Sequence, residues 1–214
     1  VPRIPVTNPI VKPTKIICVG RNYVAHAREL GNEVPERPLL FLKPPSAIIS
    51  DGEAIVLPAE SDRIEHEGEI AIIIGRRARN VSEAEALEVV AGVAPLNDVT
   101  ARDLQRTDGQ WTRAKGFDTF CPIGSPSPLQ GDWRALEVVC RVNGEVRQHG
   151  KASDMAFGLP TLIAYASRIM TLEPGDVLAT GTPEGVGPLR PGDEVEVEVV
   201  GHGRVRNPVI AADA

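Results

Sequence analysis

The chain has few cysteines: three in 214 residues, at Cys18, Cys121 and Cys140. An odd number, widely spaced and without a CxxC pair, excludes a disulfide framework or a zinc ribbon. It fits a reducing compartment, so a cytoplasmic protein is expected. Aromatic residues make up only 4%, too few for a surface that stacks bases or sugars. No run approaches the roughly 18 apolar residues of a membrane span, and the N-terminus has no basic-then-apolar signal pattern, so no membrane association is expected. Lys and Arg number 23 against 29 Asp and Glu, a formal charge of −6, and no clustered basic face offers a nucleic acid a footing. GxGxxG and GxxxxGK[ST] are missing, so neither a nucleotide nor an organic cofactor is expected. GxSxG and HExxH are missing too.

What the chain does have is turn residues: 20 glycines and 19 prolines, well above average usage of about 7% and 5%. That surplus predicts many turns between short strands. Pro2, Pro5, Pro9 and Pro13 make residues 1–14 an extended lead-in, and residues 15–214 read as one domain. Lys15–Val19 is a short apolar strand. Tyr23–Leu30 is a two-turn helix that Gly31 caps. The strongest strand signal is Glu69–Gly75 (EIAIIIG), apolar on both faces and hence central. Ser82–Gly92 predicts a helix, with Ser82 and Glu85 as a capping box and Gly92 as its stop. Residues 99–111 predict a loop or short helix. Leu136–Val142 is a strand entering an Asn143-Gly144 hairpin turn. A helix starts at Pro160, and strands follow near 177–179, 194–200 and 204–210. The sum is a mainly β chain with three or four helices, of α+β class.

Glu67 and Glu69, at i and i+2 where the central strand begins, project to one face. Two carboxylates that close repel, and a divalent cation is a common remedy. The same spacing is equally that of a solvated strand end, with Glu65, Glu67 and Glu69 facing water. Asp98 is a third acidic candidate, or else a turn or helix cap. Asp103 is open to pairing with Arg102 or Arg106. A carboxylate set suits Mg²⁺, Mn²⁺ or Ca²⁺, not zinc. His26 and Glu29 share a helix face at i, i+3, the arrangement of an oriented general base or of a plain surface pair. His66 is expected on the face opposite Glu67. Lys115 is a surface charge or an anchor for an anion. Thr180-Gly181-Thr182-Pro183 offers hydroxyls and N–H groups to a carboxylate.

Taken in order, GRNYVAHARELG, HEGEIAIIIG, NDVTARDLQ, AKGFDTFCPIG and GTPEGVGPLRPGDEVEVEV resemble the fumarylacetoacetate hydrolase family over nearly the whole chain. They are closest to its short acylpyruvase-like and hydroxymuconate (or 2-hydroxyhepta-2,4-diene-1,7-dioate) isomerase-like branch. The resemblance implies a mixed β-sandwich or roll with peripheral helices, a homodimer, and a divalent metal, Mg²⁺ or Mn²⁺, in a central cleft. It implies Glu67, Glu69 and Asp98 as metal ligands and His26 with Glu29 as a catalytic dyad on a lid helix. It further implies Lys115 and Thr182 in contact with substrate, and Arg21, Asn22 and Gln105 bordering the pocket. The implied reaction is C–C hydrolysis of an acylpyruvate-type 2,4-dioxo acid through an enolate that the metal stabilises. Decarboxylation or isomerisation of a 2-oxo diacid is the alternative, and a non-catalytic metal-binding protein the third.

Overall fold

A computed structural model describes residues 12–29 and 31–212. Residues 1–11 of the expected lead-in lie outside the described residues, as does Leu30 at the end of the first expected helix. Two five-stranded sheets form the body. In the first, the order is Leu39–Lys43, Ile16–Gly20, Val177–Ala179, Gly68–Ile74 and Val90–Asn97. Ile16–Gly20 runs parallel to Val177–Ala179, and the other pairings in that sheet are antiparallel. The second sheet is ordered Glu145–Lys151, Glu137–Val142, Glu194–Val199, Gly203–Ala211 and Ile55–Leu57.

The sheets pack face to face, because each carries alternating apolar residues. Ile70, Ile72 and Ile74 share one apolar cluster with Val138, Cys140, Val195 and Val197 of the second sheet. Ala71 and Ile73, on the other face of the same strand, join Ile16, Cys18, Leu96, Ala179 and Ile123 in a second cluster. Gly68–Ile74 is therefore buried on both sides, as its unbroken apolar run predicts. Among the described residues four α-helices decorate this sandwich: Val24–Glu29, Arg102–Thr107, Thr112–Lys115 and Leu159–Ile169. The class is α+β, mostly strand. None of these helices is long and apolar enough to cross a membrane.

Several local signals act as expected. Asn143 and Gly144 both have positive φ, 54° and 80°, the turn that matches the twist of a two-residue hairpin. The last long helix begins at Leu159, one residue before Pro160, and residues 102–107 form a short helix. The Ser82–Gly92 helix is overturned. Glu85 does accept from the Ser82 hydroxyl (2.7 Å) and N–H (3.1 Å), but only a 3₁₀ turn, Ala86–Val89, follows. From Val90 the chain is a strand paired with Gly68–Ile74. Val90, Val93 and Pro95 fit an edge strand better than a helix. Gly92 is no helix stop: a Cβ there would lie 2.3 Å from the Ser127 carbonyl oxygen, so glycine permits the approach of a neighbouring backbone.

Asp176 ties the start of the described chain to the sandwich. Its buried carboxylate accepts from the N–H groups of Thr14 (2.9 Å), Lys15 (3.2 Å) and Glu173 (2.8 Å), and from the Thr14 hydroxyl and Lys15 ammonium. Burial pushes its carboxyl up, but these donors more than offset that and hold it below the ordinary value. Asp176→Ala strands several donors and is expected to cost about 2–4 kcal/mol at pH 7 by urea unfolding. A depressed folded pKa means the contribution is full above the unfolded value near 3.9 and fades as pH falls through the folded one. The gap between wild type and variant should thus narrow only below about pH 4; a gap constant with pH would contradict the assignment.

Candidate active site

Glu67 joins the short strand Ile64–His66 to the central strand, and Glu69 is the second residue of the latter. Antiparallel register pairs Gly68 with Asn97, so Asp98, the next residue, arrives beside Glu67. The Asp98 N–H donates to the Glu67 carbonyl at 2.8 Å. One carboxylate oxygen from each of Glu67, Glu69 and Asp98 lies within 4.8 Å of the others. The three residues are 4%, 2% and 1% exposed, and Glu65 is 1% exposed, so the solvated strand end is excluded.

Three buried cations answer these acids. Lys115 Nζ bridges Glu67 (2.7 Å) and Asp98 (2.6 Å), while Lys43 Nζ holds the other Asp98 oxygen at 2.7 Å. The Arg102 guanidinium donates to Glu65 Oε2 (2.7 Å) and to Glu67 Oε1. Burial pulls Lys115 down, yet Asp98 and Glu67 prevail and hold it at about 12. Burial likewise opposes ionisation of Glu67, but Lys115 and Arg102 keep its carboxyl far below the usual range. Glu69 goes the other way. Burial, then Asp98 and Glu67, push it well above the ordinary value. Among the described residues no cation pairs with it, and its Oε2 accepts only the Gly181 N–H at 2.8 Å. An uncompensated buried carboxylate beside two others fits a divalent cation, and an all-oxygen donor set fits Mg²⁺, Mn²⁺ or Ca²⁺.

A cavity of about 310 Å³ opens over this cluster, lined by the three carboxylates and by Arg21, His26, Arg102, Gln105, Arg106, Lys115 and Thr182. Phe41 and Trp111 supply its apolar wall, packed edge to face at 5.2 Å. Gly20 makes room for Trp111, since a Cβ there would sit 2.9 Å from its ring. His26 is buried on the six-residue helix Val24–Glu29, its Nδ1 3.1 Å from Glu29 Oε2. A carboxylate only accepts, so Nδ1 carries the proton and Nε2 is left as the basic nitrogen. Glu29 Oε1 accepts from the Gly185 N–H (3.0 Å), which fixes the acid in turn. Gly31, at φ 69°, ends the helix as expected, with the Asn32 N–H donating to the Ala27 carbonyl at 2.8 Å.

The remaining candidates divide. Arg21 lines the cavity from a left-handed backbone, φ 58°. Asn22 is not among the lining residues. Its amide clasps backbone instead, donating to the Phe157 and Thr180 carbonyls and accepting from the Phe157 N–H. Gln105 lines the cavity while its carbonyl accepts from Arg102. Thr182 also lines it, but its hydroxyl donates to the Gly68 carbonyl (2.9 Å), and the Gly181 N–H is given to Glu69. The loop's polar groups thus orient the acidic strand. Asp103 pairs with neither arginine; it accepts from the Ser61 hydroxyl (2.6 Å) and the Asp62 N–H.

Sequence reasoning overlooked Lys43, the salt-bridged role of Glu65, and Gln148. The buried Gln148 amide spends all its capacity on the site. It accepts from the Gly68 N–H (2.9 Å) and, at 3.0 Å, meets His66 Nδ1, and it donates to Thr182 Oγ1 (2.7 Å) and the Pro183 carbonyl. His66 therefore braces the strand from behind, and burial lowers its pKa. A lone lysine closing an apolar strand and a glutamine in a polar one carry no signal of such roles.

The family described as fumarylacetoacetate (FAA) hydrolase C-terminal matches residues 15–210. A protein of Arabidopsis thaliana named "Oxaloacetate tautomerase FAHD1, mitochondrial" is 48% identical over 90% of this chain and 89% of its own. The crystal structure of a 5-carboxymethyl-2-hydroxymuconate delta-isomerase from Mycobacterium smegmatis superimposes with a TM-score of 0.88 at 48% identity, covering 95% of this chain and 81% of that one. A 2-hydroxyhepta-2,4-diene-1,7-dioate isomerase from Mycobacterium marinum gives 0.87 at 43%, covering 95% and 77%.

Proposed function

Since the chain belongs to the fumarylacetoacetate hydrolase family, we propose that it is a divalent-metal-dependent enzyme moving a proton on the carbon beside the keto group of a small 2-oxo acid, as a tautomerase or double-bond isomerase does. One observation carries this reading: His26, oriented by Glu29, lines the same cavity as the buried carboxylate triad. Glu67, Glu69 and Asp98 would hold Mg²⁺ or Mn²⁺, and a cation there would supply the Lewis-acid charge that makes negative charge on a keto oxygen bearable.

The chain's own residues do the rest. Glu29 fixes the His26 tautomer and stabilises the imidazolium that forms when Nε2 takes the proton from C3. The same nitrogen returns it to the oxygen, or to a carbon further along a conjugated chain. Lys115, held charged, adds positive potential at the developing oxyanion. Phe41 and Trp111 limit water on one side. The relatives named for tautomerisation and isomerisation support proton transfer over bond cleavage. C–C hydrolysis of an acylpyruvate is the second reading, because the same dyad is equipped to take a proton from water. The reading extends to a homodimer, carried by the family resemblance alone, and to a reducing compartment, because Cys18, Cys121 and Cys140 are buried and unpaired. The cytoplasm suits them, though the Arabidopsis relative is named mitochondrial.

Proton NMR in D₂O with Mg²⁺ or Mn²⁺ tests the chemistry. Oxaloacetate or a hydroxymuconate should gain deuterium or shift its double bond, and His26→Gln should slow this by about 10²–10⁴-fold. Pyruvate plus an acyl fragment from acylpyruvates would select hydrolysis, and CO₂ from oxaloacetate decarboxylation. No reaction with any of the three classes would sink the proposal.

A further inference from the structure

We propose that Arg106 forms the subsite for a distal carboxylate, so that the preferred substrates are dicarboxylates. The inference rests on the proposed 2-oxo acid chemistry for the position of the near end of the substrate. Arg102 and Arg106 stand at i and i+4 on the helix Arg102–Thr107, so they share one face about 6 Å apart along the axis. Arg102 is buried at the bottom of the cavity, committed to Glu65 and Glu67. Arg106 is exposed one turn nearer the mouth, and among the described residues it has no carboxylate partner. Arg21 stands in the same cavity, likewise without a carboxylate among the described residues.

Charge points the same way. Four cationic side chains, Arg21, Arg102, Arg106 and Lys115, line the cavity against the carboxylates of Glu67, Glu69 and Asp98. With a divalent cation held by those three acids the lining carries a surplus of positive charge, and Arg21 and Arg106 are the two lining cations that no described acid neutralises. A monoacid, bound at the metal end, leaves that mouth charge unanswered. An extended four-carbon diacid sets its two carboxylate carbons about 4 Å apart, somewhat less than the pitch of about 5.4 Å per helical turn, a difference that a long arginine side chain is able to close. Arg106 then has a planar guanidinium within reach of a carboxylate, the pairing its five donors suit best.

The test compares two non-enolisable 2-hydroxy acids on the Mn²⁺-loaded protein by calorimetry: malate, with a distal carboxylate, and 2-hydroxybutanoate, without one. Wild type should prefer malate by about 10- to 100-fold. Arg106→Gln should erase that preference by weakening malate alone, and Arg106→Lys should restore part of it. Equal affinities in wild type, or a preference that survives Arg106→Gln, would overturn the subsite. Failure of the catalytic reading looks different: the malate preference and its loss in Arg106→Gln would stand, while no 2-oxo acid reacts.

Discussion

Glu69→Gln is expected to abolish tight Mn²⁺ binding and cut the metal-dependent rate by more than the roughly 100-fold that loss of an outer-sphere partner costs, while the metal-free protein becomes more stable. The reason lies in the crowding of the triad. Glu69 is buried next to Glu67 and Asp98, no described cation pairs with it, and its carboxyl is pushed up by that burial and by those charges. Glutamine has the same shape and still accepts the Gly181 N–H, but carries no charge to crowd. Relief of that repulsion should raise metal-free stability by about 1 kcal/mol. Metal reverses the order: at a hundred times its dissociation constant, a ligand of the native state stabilises by about 2.7 kcal/mol, and only wild type benefits. Thermal melts with EDTA and with excess Mn²⁺ should therefore cross, the variant melting higher in the first and lower in the second. Unchanged Mn²⁺ affinity in the variant would remove Glu69 from the site.

The parts of this site that are legible in the sequence are those that strand geometry makes local. Glu67 and Glu69 fall on one face because strand side chains alternate, and the Ile70–Ile74 run marks their surroundings as buried. His26 and Glu29 meet because helix positions three apart do. What lies across the fold has no local signature. Lys43 reaches Asp98 across 55 positions, and Gln148 reaches Gly68 across 80. Both contacts exist only once sheet register is set. The misread helix at Ser82 shows the same limit from the other side. Ser82 and Glu85 form their local pair, but the chain beyond them has more to gain by pairing Val90–Asn97 with the central strand than by continuing a turn. That pairing is what delivers Asp98. The stronger local signal and the functional residue thus compete for one segment, and the sheet wins.

Arg102→Met should be the most destabilising single change at the site, costing about 3–5 kcal/mol in urea unfolding. Arg102 is 2% exposed, and its one guanidinium serves Glu65, Glu67 and the Gln105 carbonyl. Burial works against its charge, but Glu67 and Glu65 more than restore it. Without the arginine, Glu67 retains Lys115, whereas Glu65 keeps only Arg63, whose side chain is half exposed. The dominant penalty is then an under-compensated buried carboxylate, not a lost attraction, and this yields a discriminating second variant. Arg102→Met combined with Glu65→Met removes that stranded charge and should recover most of the stability. Arg102→Lys should fall between, since one ammonium lacks the planar fork that reaches both acids at once. A double variant no more stable than the single one would mean that Arg102 acts through its packing and not through Glu65. The pair also explains why so polar a floor sits in a sandwich core. Apolar residues would hold the sheets together as well, but they would leave Glu67 without the partner that turns it toward Glu69 and Asp98.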